Sequence, residues 1–177
     1  KNIKKKIEDI EKTKNNISSI ENINKKRSKE VGINWLPKVQ DGWKVLRTDF
    51  LFKNEKTKND DLSENNLLSL TLNGVVRKNI ESNEGLRPEN YSTYQIVNKD
   101  DLVFKLIDLE NIQTSRVGIV PEKGIISSAY LRLVPNKELI YPKYAYWYFY
   151  NLYKKHIFNK LGSDTVRSSM GVEELKK

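Results

Sequence analysis

Leu102 to Leu133 reads LVFKLIDLENIQTSRVGIVPEKGIISSAYLRL, and the fold class turns on this stretch. Leu102–Ile107 is a short apolar run, the length of a buried strand rather than a helix. A polar loop follows, and then a short strand, Val117–Val120, opened by Arg116. Pro121-Glu122-Lys123-Gly124 supplies the residues of a hairpin-type connection. A long strand then starts at Gly124 and runs through Val134. It carries Ser127, Ser128 and Tyr130, where a bland strand needs none of them.

Outward from this stretch the pattern stays strand-rich. Leu67–Leu72 and Val75–Arg77 flank Asn73-Gly74, a residue pair suited to a tight hairpin. Tyr94–Val97 adds a strand after a long polar insert, Lys78–Ser92. Downstream, Pro142 opens an apolar helix reaching to about Lys160, proline being favoured in a first helical turn. Its aromatics Tyr144, Trp147, Tyr148, Phe149 and Tyr150 fall on nearly every face. That points to burial on more than one side, and to core rather than a base-stacking platform.

At the other end, Ile3, Ile7, Ile10, Ile17, Ile20 and Ile23 recur at spacings of three, four or seven, one stripe of a long helix. Lys14 and Glu21 interrupt it. Such a helix is marginal in water unless the stripe packs on something, so its expected partner is a helix outside this segment or another chain, such as a second copy. Val31 to Asn34 end the helix and Pro37 forbids its continuation. Trp35 and Trp43 read as anchors of a core edge. The expected fold is α+β. A long N-terminal coiled-coil-type helix (residues 1–30) precedes a mixed α/β domain (residues 31–177) with a twisted, largely antiparallel sheet.

Composition narrows the function. The 177 residues suffice for one core, or one domain plus an appendage. The net charge is +9; ten Lys/Arg against five Asp/Glu in the first thirty residues account for +5 of it. A positive balance favours an anionic partner such as nucleic acid or a membrane surface. With no Cys and one His, His156, the chain lacks Cys/His zinc chemistry, thiol catalysis and disulfides, which fits a reducing cytoplasm. No apolar run approaches the ~20 residues of a membrane span, and the charged N-terminus is not a signal peptide. No membrane association is expected.

Catalytic signatures are missing. No Gly-rich phosphate loop occurs, His156 sits in a lysine-flanked stretch, and Asp60-Asp61 and Asp100-Asp101 read as turn acids. Asp164 with Glu174 is the nearest approach to a metal-holding pair. Binding chemistry is better placed. Basic residues fall between strands: Lys53, Lys56 and Lys58; Arg77 and Lys78; Arg87; Lys105 and Arg116. Gly162 to Ser169 is a small-residue loop containing Ser163 and Arg167. Hydroxyls and lysines can hold phosphates, while arginine can fork onto the major-groove edge of guanine. Each could equally be a solvated surface group.

In order and spacing these motifs resemble the target-recognition domain of specificity subunits of type I restriction-modification systems. The matching residues are Trp35-Leu36-Pro37, Gly42-Trp43, Asp101-Leu102-Val103, Ile107-Asp108-Leu109, Arg116-Val117-Gly118 and Gly124 to Tyr130. The Gly162 to Arg167 loop and Val172 to Leu175 come next. The resemblance implies a non-catalytic chain without cofactor or metal that reads one half of a bipartite target in double-stranded DNA. It would direct methyltransferase and restriction subunits. The candidates for DNA contact are Arg77, Lys78, Arg87 and Lys105, taken from the basic residues between strands, with Arg116, Ser127, Ser128, Tyr130, Ser163 and Arg167, which lie inside the matching motifs. A whole subunit of that family has two recognition domains and two helical regions, so one of each implies a fragment or half-subunit. Two other readings stay open: an interaction adaptor using the helix stripe, and a DNA-processing enzyme domain.

Overall fold

A computed structural model describes residues 2–26, 28–78, 90–107, 117–161, 172 and 175. They form two compact units, Lys1–Val45 and Leu46–Lys177.

The first unit holds helix α1 (Asn2–Lys26) and an antiparallel hairpin, β1 (Ser28–Ile33) with β2 (Leu36–Gln40). Instead of merely ending the helix, Val31 to Asn34 enter this hairpin. Its register jumps between the Glu30–Lys38 and Ile33–Leu36 pairs. Pro37 lies at that irregularity, where its missing N–H leaves no gap in the ladder.

The second unit opens with α2 (Thr48–Leu51), β3 (Phe52–Asn54) and β4 (Thr57–Lys58). Next come β5 (Leu68–Thr71), β6 (Gly74–Arg77), β7 (Gln95–Val97) and β8 (Leu102–Phe104). Then follow β9 (Val117–Ile119), β10 (Gly124–Ile126), β11 (Leu131–Pro135), α3 (Pro142–Lys154) and α4 (Ile157–Leu161). Three antiparallel sheets result, with strand orders β3-β11-β8-β9, β10-β7-β4 and β5-β6.

Strand β8 is the centre of the unit. Its three residues are buried, and alternation sends them to opposite faces. Phe104 meets Phe149 of α3 edge-on at 5.1 Å, and Phe52 meets the same ring at 5.9 Å. Val103 packs with Leu68, Leu70, Val75, Val97, Val120 and Ile126. A Cβ on Gly118 would lie 2.6 Å from Leu70 Cδ1, and one on Gly124 would lie 2.4 Å from the Asn66 carbonyl oxygen. Both motif glycines thus permit close approach, and at Gly124 the obstacle is backbone that cannot step aside.

The expected fold class is corrected. The chain is α+β with antiparallel sheets, but α1 is not a coiled-coil element here: Ile7, Ile10 and Ile17 are exposed, covered by no helix among the described residues. Nor is there one twisted sheet; the strands divide into small ones. Two local readings change for the same reason. The long strand from Gly124 breaks at Ser127 to Tyr130, so β10 and β11 belong to different sheets. Pro121 to Gly124 likewise crosses between sheets and is no hairpin.

The C-terminal helix also differs. Lys155 and His156 interrupt it, with His156 exposed at φ +55, separating α3 from α4. Helix α3 buries one face only: Pro142, Ala145, Phe149 and Leu152. No helix among the described residues is long and apolar enough to cross a membrane.

Candidate nucleic-acid interface

The turn between β10 and β11 is built from its own polar groups. The Tyr130 N–H donates to the Ser127 carbonyl at 3.1 Å, and the Ala129 N–H donates to Ser127 Oγ at 3.3 Å. From the start of β7, the buried Gln95 donates through Nε2 to two carbonyls, Ser127 at 3.1 Å and Tyr130 at 2.7 Å. Ser128 Oγ donates to the Thr93 carbonyl. The Tyr130 ring packs against the core, and burial pushes its phenol above the ordinary value. Ser127, Ser128 and Tyr130 are therefore engaged within the protein, as clasps between two sheets.

Beside this clasp runs a basic edge. Strands β3 and β4 end their respective sheets, and Lys53, Lys56 and Lys58 on the short segment spanning them are all exposed. Lys58 pairs across the ladder with Gln95, and Lys56 Nζ donates to the Ser128 carbonyl at 3.1 Å. Lysines on sheet edges also discourage strand addition by other chains. None of the three makes an ion pair to a described carboxylate.

Several other cations of the unit are paired. Arg77 Nη2 lies 3.0 Å from Glu122, Lys123 lies 3.6 Å from Glu64, and Lys137 lies 2.7 Å from Asp100. Arg132 donates through Nε to Asp101 at 2.7 Å, both side chains being 4% exposed. Asp101 also accepts the Asn98 N–H at 2.8 Å. Burial pushes the Asp101 carboxyl above its ordinary value, and the Asn98 N–H and Arg132 pull it part of the way back. The acid read as a turn residue is the centre of a buried ion pair.

The remaining sequence candidates scatter. Lys78 is half-buried, its N–H donating to the Leu67 carbonyl at 2.8 Å beyond the β5–β6 hairpin, and Lys105 is half-buried after β8. Arg87, Arg116, Ser163 and Arg167 lie outside the described residues. Among the described residues, no three carboxylates or imidazoles come together to hold a metal ion.

Two features were missed in the sequence. Lys53, Lys56 and Lys58 stand out in the sequence only as loop charges, because nothing in the spacing says that Lys53 and Lys58 lie on two short edge strands joined through Lys56. The aromatics of α3 were read as core, yet Tyr144 and Trp147 are 45% and 57% exposed. The signal was the Ala145, Phe149 and Leu152 period beneath them. Compared with known proteins, the chain matches no family model and no curated protein.

Proposed function

We propose that this chain is a DNA sequence-recognition module of a type I restriction-modification system, reading one half of a bipartite duplex target in the cytoplasm. The observation that carries the reading is the basic edge. Lys53, Lys56 and Lys58 are exposed and lack described carboxylate partners; Lys53 sits on the β3 edge, while Lys56 and Lys58 adjoin the clasp through Ser128 and Gln95. Unpaired lysines on a rigid support release counterions when they neutralise phosphates, which sets register on a duplex. Side chains of the intervening loops would then read base edges. In this reading catalysis belongs to partner methyltransferase and restriction subunits, and the chain needs no cofactor of its own.

Selection from a randomised duplex pool at two salt concentrations tests it, with the full chain alone and with a type I methyltransferase subunit. A short enriched motif and affinity falling steeply with salt are expected. Replacing Lys53, Lys56 and Lys58 together by Gln should flatten the salt dependence by about one unit of log–log slope per lysine. Retention of no duplex in either arm overturns the reading. It would favour an interaction adaptor without DNA contact, the reading that the exposed Ile7, Ile10 and Ile17 support.

A further inference from the structure

Helix α3 carries a surface that the duplex reading leaves unused. Every exposed residue of the helix, Lys143, Tyr144, Trp147, Asn151 and Lys154, falls within one sector of about 100° at ideal helical geometry. The buried residues Pro142, Ala145, Phe149 and Leu152 occupy the opposite side. The outer face is thus two aromatic rings, an amide and two ammonium groups. It exposes no aliphatic side chain.

Trp147 is also held in place. Its indole lies 5.0 Å from the Tyr146 ring in a tilted contact and 5.6 Å from Tyr150 edge-on, and these two tyrosines meet at 5.7 Å. Two flanking rings restrict the indole rotamer while leaving more than half of the residue exposed. Little side-chain freedom remains to be lost on binding. From Leu139 to Leu161 the sequence contains no Asp or Glu but includes Lys143, Lys154, Lys155 and Lys160.

We propose that this face of α3 binds single-stranded nucleic acid, with bases stacking on Trp147 and Tyr144 and phosphates against Lys143 and Lys154. Three helical residues advance about 4.5 Å along the axis, so successive rings are offset by more than a stacked base step and suit an unstacked strand. The chemistry separates this occupant from two others. A helix that sinks into a membrane surface sets a broad apolar face of Leu, Phe and Trp opposite its lysines, and one that docks in a protein groove presents a continuous apolar stripe; on α3 the exposed rings share one narrow sector with the lysines, and the aliphatic residues and Phe149 are all buried. A face of π-surfaces, amide and cations without carboxylates matches an anionic polymer with flat bases.

Titration of the full chain with an oligothymidylate of about twenty nucleotides, read by tryptophan fluorescence, tests the proposal. Subtracting the Trp147→Phe signal isolates Trp147 from Trp35 and Trp43. Saturable quenching of Trp147 is expected. Trp147→Ala and Tyr144→Ala should each weaken binding about 5- to 100-fold, while Trp147→Phe keeps a ring and retains most of the affinity. Duplex affinity should stay unchanged in all three variants. The Lys53, Lys56 and Lys58 to Gln variant should lose duplex while keeping the oligothymidylate, so the two readings fail separately. Undiminished oligothymidylate binding by Trp147→Ala and Tyr144→Ala, or no binding by the parent chain, overturns the proposal. So does a Trp147 response to anionic phospholipid vesicles alone, which would make the face a membrane contact.

Discussion

The turn at Ser127 to Tyr130 and the outer face of α3 invert what their residue types suggest. The turn carries two hydroxyls and a phenol, groups suited to a ligand, and spends them on Thr93, Ala129 and the core. The helix carries rings that belong by type in a core, and leaves Tyr144 and Trp147 in solvent. Hydrogen-bond demand explains the first case. A chain that leaves one sheet for another must satisfy the backbone groups it takes off the ladder, and serine and glutamine near the crossing do so. Area explains the second: one helix face suffices to cover β8 and its neighbours, and α3 has more rings than that face can hide.

The largest effect should come from the inward side of this contrast. Arg132→Met leaves the Asp101 carboxylate buried without its cation, and should cost about 3–5 kcal/mol in urea unfolding. A cost near zero would mean that water reaches Asp101 and that the pair is no fastener. Gln95→Leu is next. It strips the donor from the Ser127 and Tyr130 carbonyls and should cost about 1–3 kcal/mol, whereas Trp147→Phe on the outer face should stay within about 0.5 kcal/mol. Equal costs at the two sites would erase the distinction.

The smallest effect is on pH dependence, and it separates two carboxylates that both face a cation. Asp101 titrates above its ordinary value because it is buried, whereas Glu64 titrates below its own because the Asn66 and Asn65 N–H groups and Lys123 hold its charge. The raised group contributes stability below the unfolded Asp value, which is lost as pH rises through the folded value. The lowered group contributes stability above the unfolded Glu value, lost as pH falls through its folded one. Carboxyl-carbon NMR titration should give midpoints on opposite sides of the model-peptide values. Midpoints on the same side would show that burial does not govern Asp101.

Much of the strand pattern was legible. Leu67–Leu72 and Val75–Arg77 correspond to β5 and β6, with Gly74 at φ +92 where the turn requires it. Pro142 starts α3 as its chemistry dictates. The strand break at Ser127 was hidden because β10 and most of β11 are buried, so no alternation changes phase there. The facing of α3 was hidden because Tyr and Trp count as apolar in any periodicity, masking the Ala145, Phe149, Leu152 stripe. The helix break had no Gly or Pro to mark it; His156 takes the left-handed conformation itself. Of the candidate site, charge was visible and pairing was not. Arg77 and Lys53 look alike in sequence, yet one is matched by Glu122 from 45 residues away.

Because Gln95, Asp101 and Arg132 fasten the sheets from within, the residues turned outward contribute little to holding them together. Lys53, Lys58, Tyr144 and Trp147 can be exchanged at a cost near that of ordinary surface substitutions. Such a body can be rewritten on its exterior by successive mutations without passing through unfolded intermediates. Selection can then alter what the surface meets while inheriting the frame unchanged.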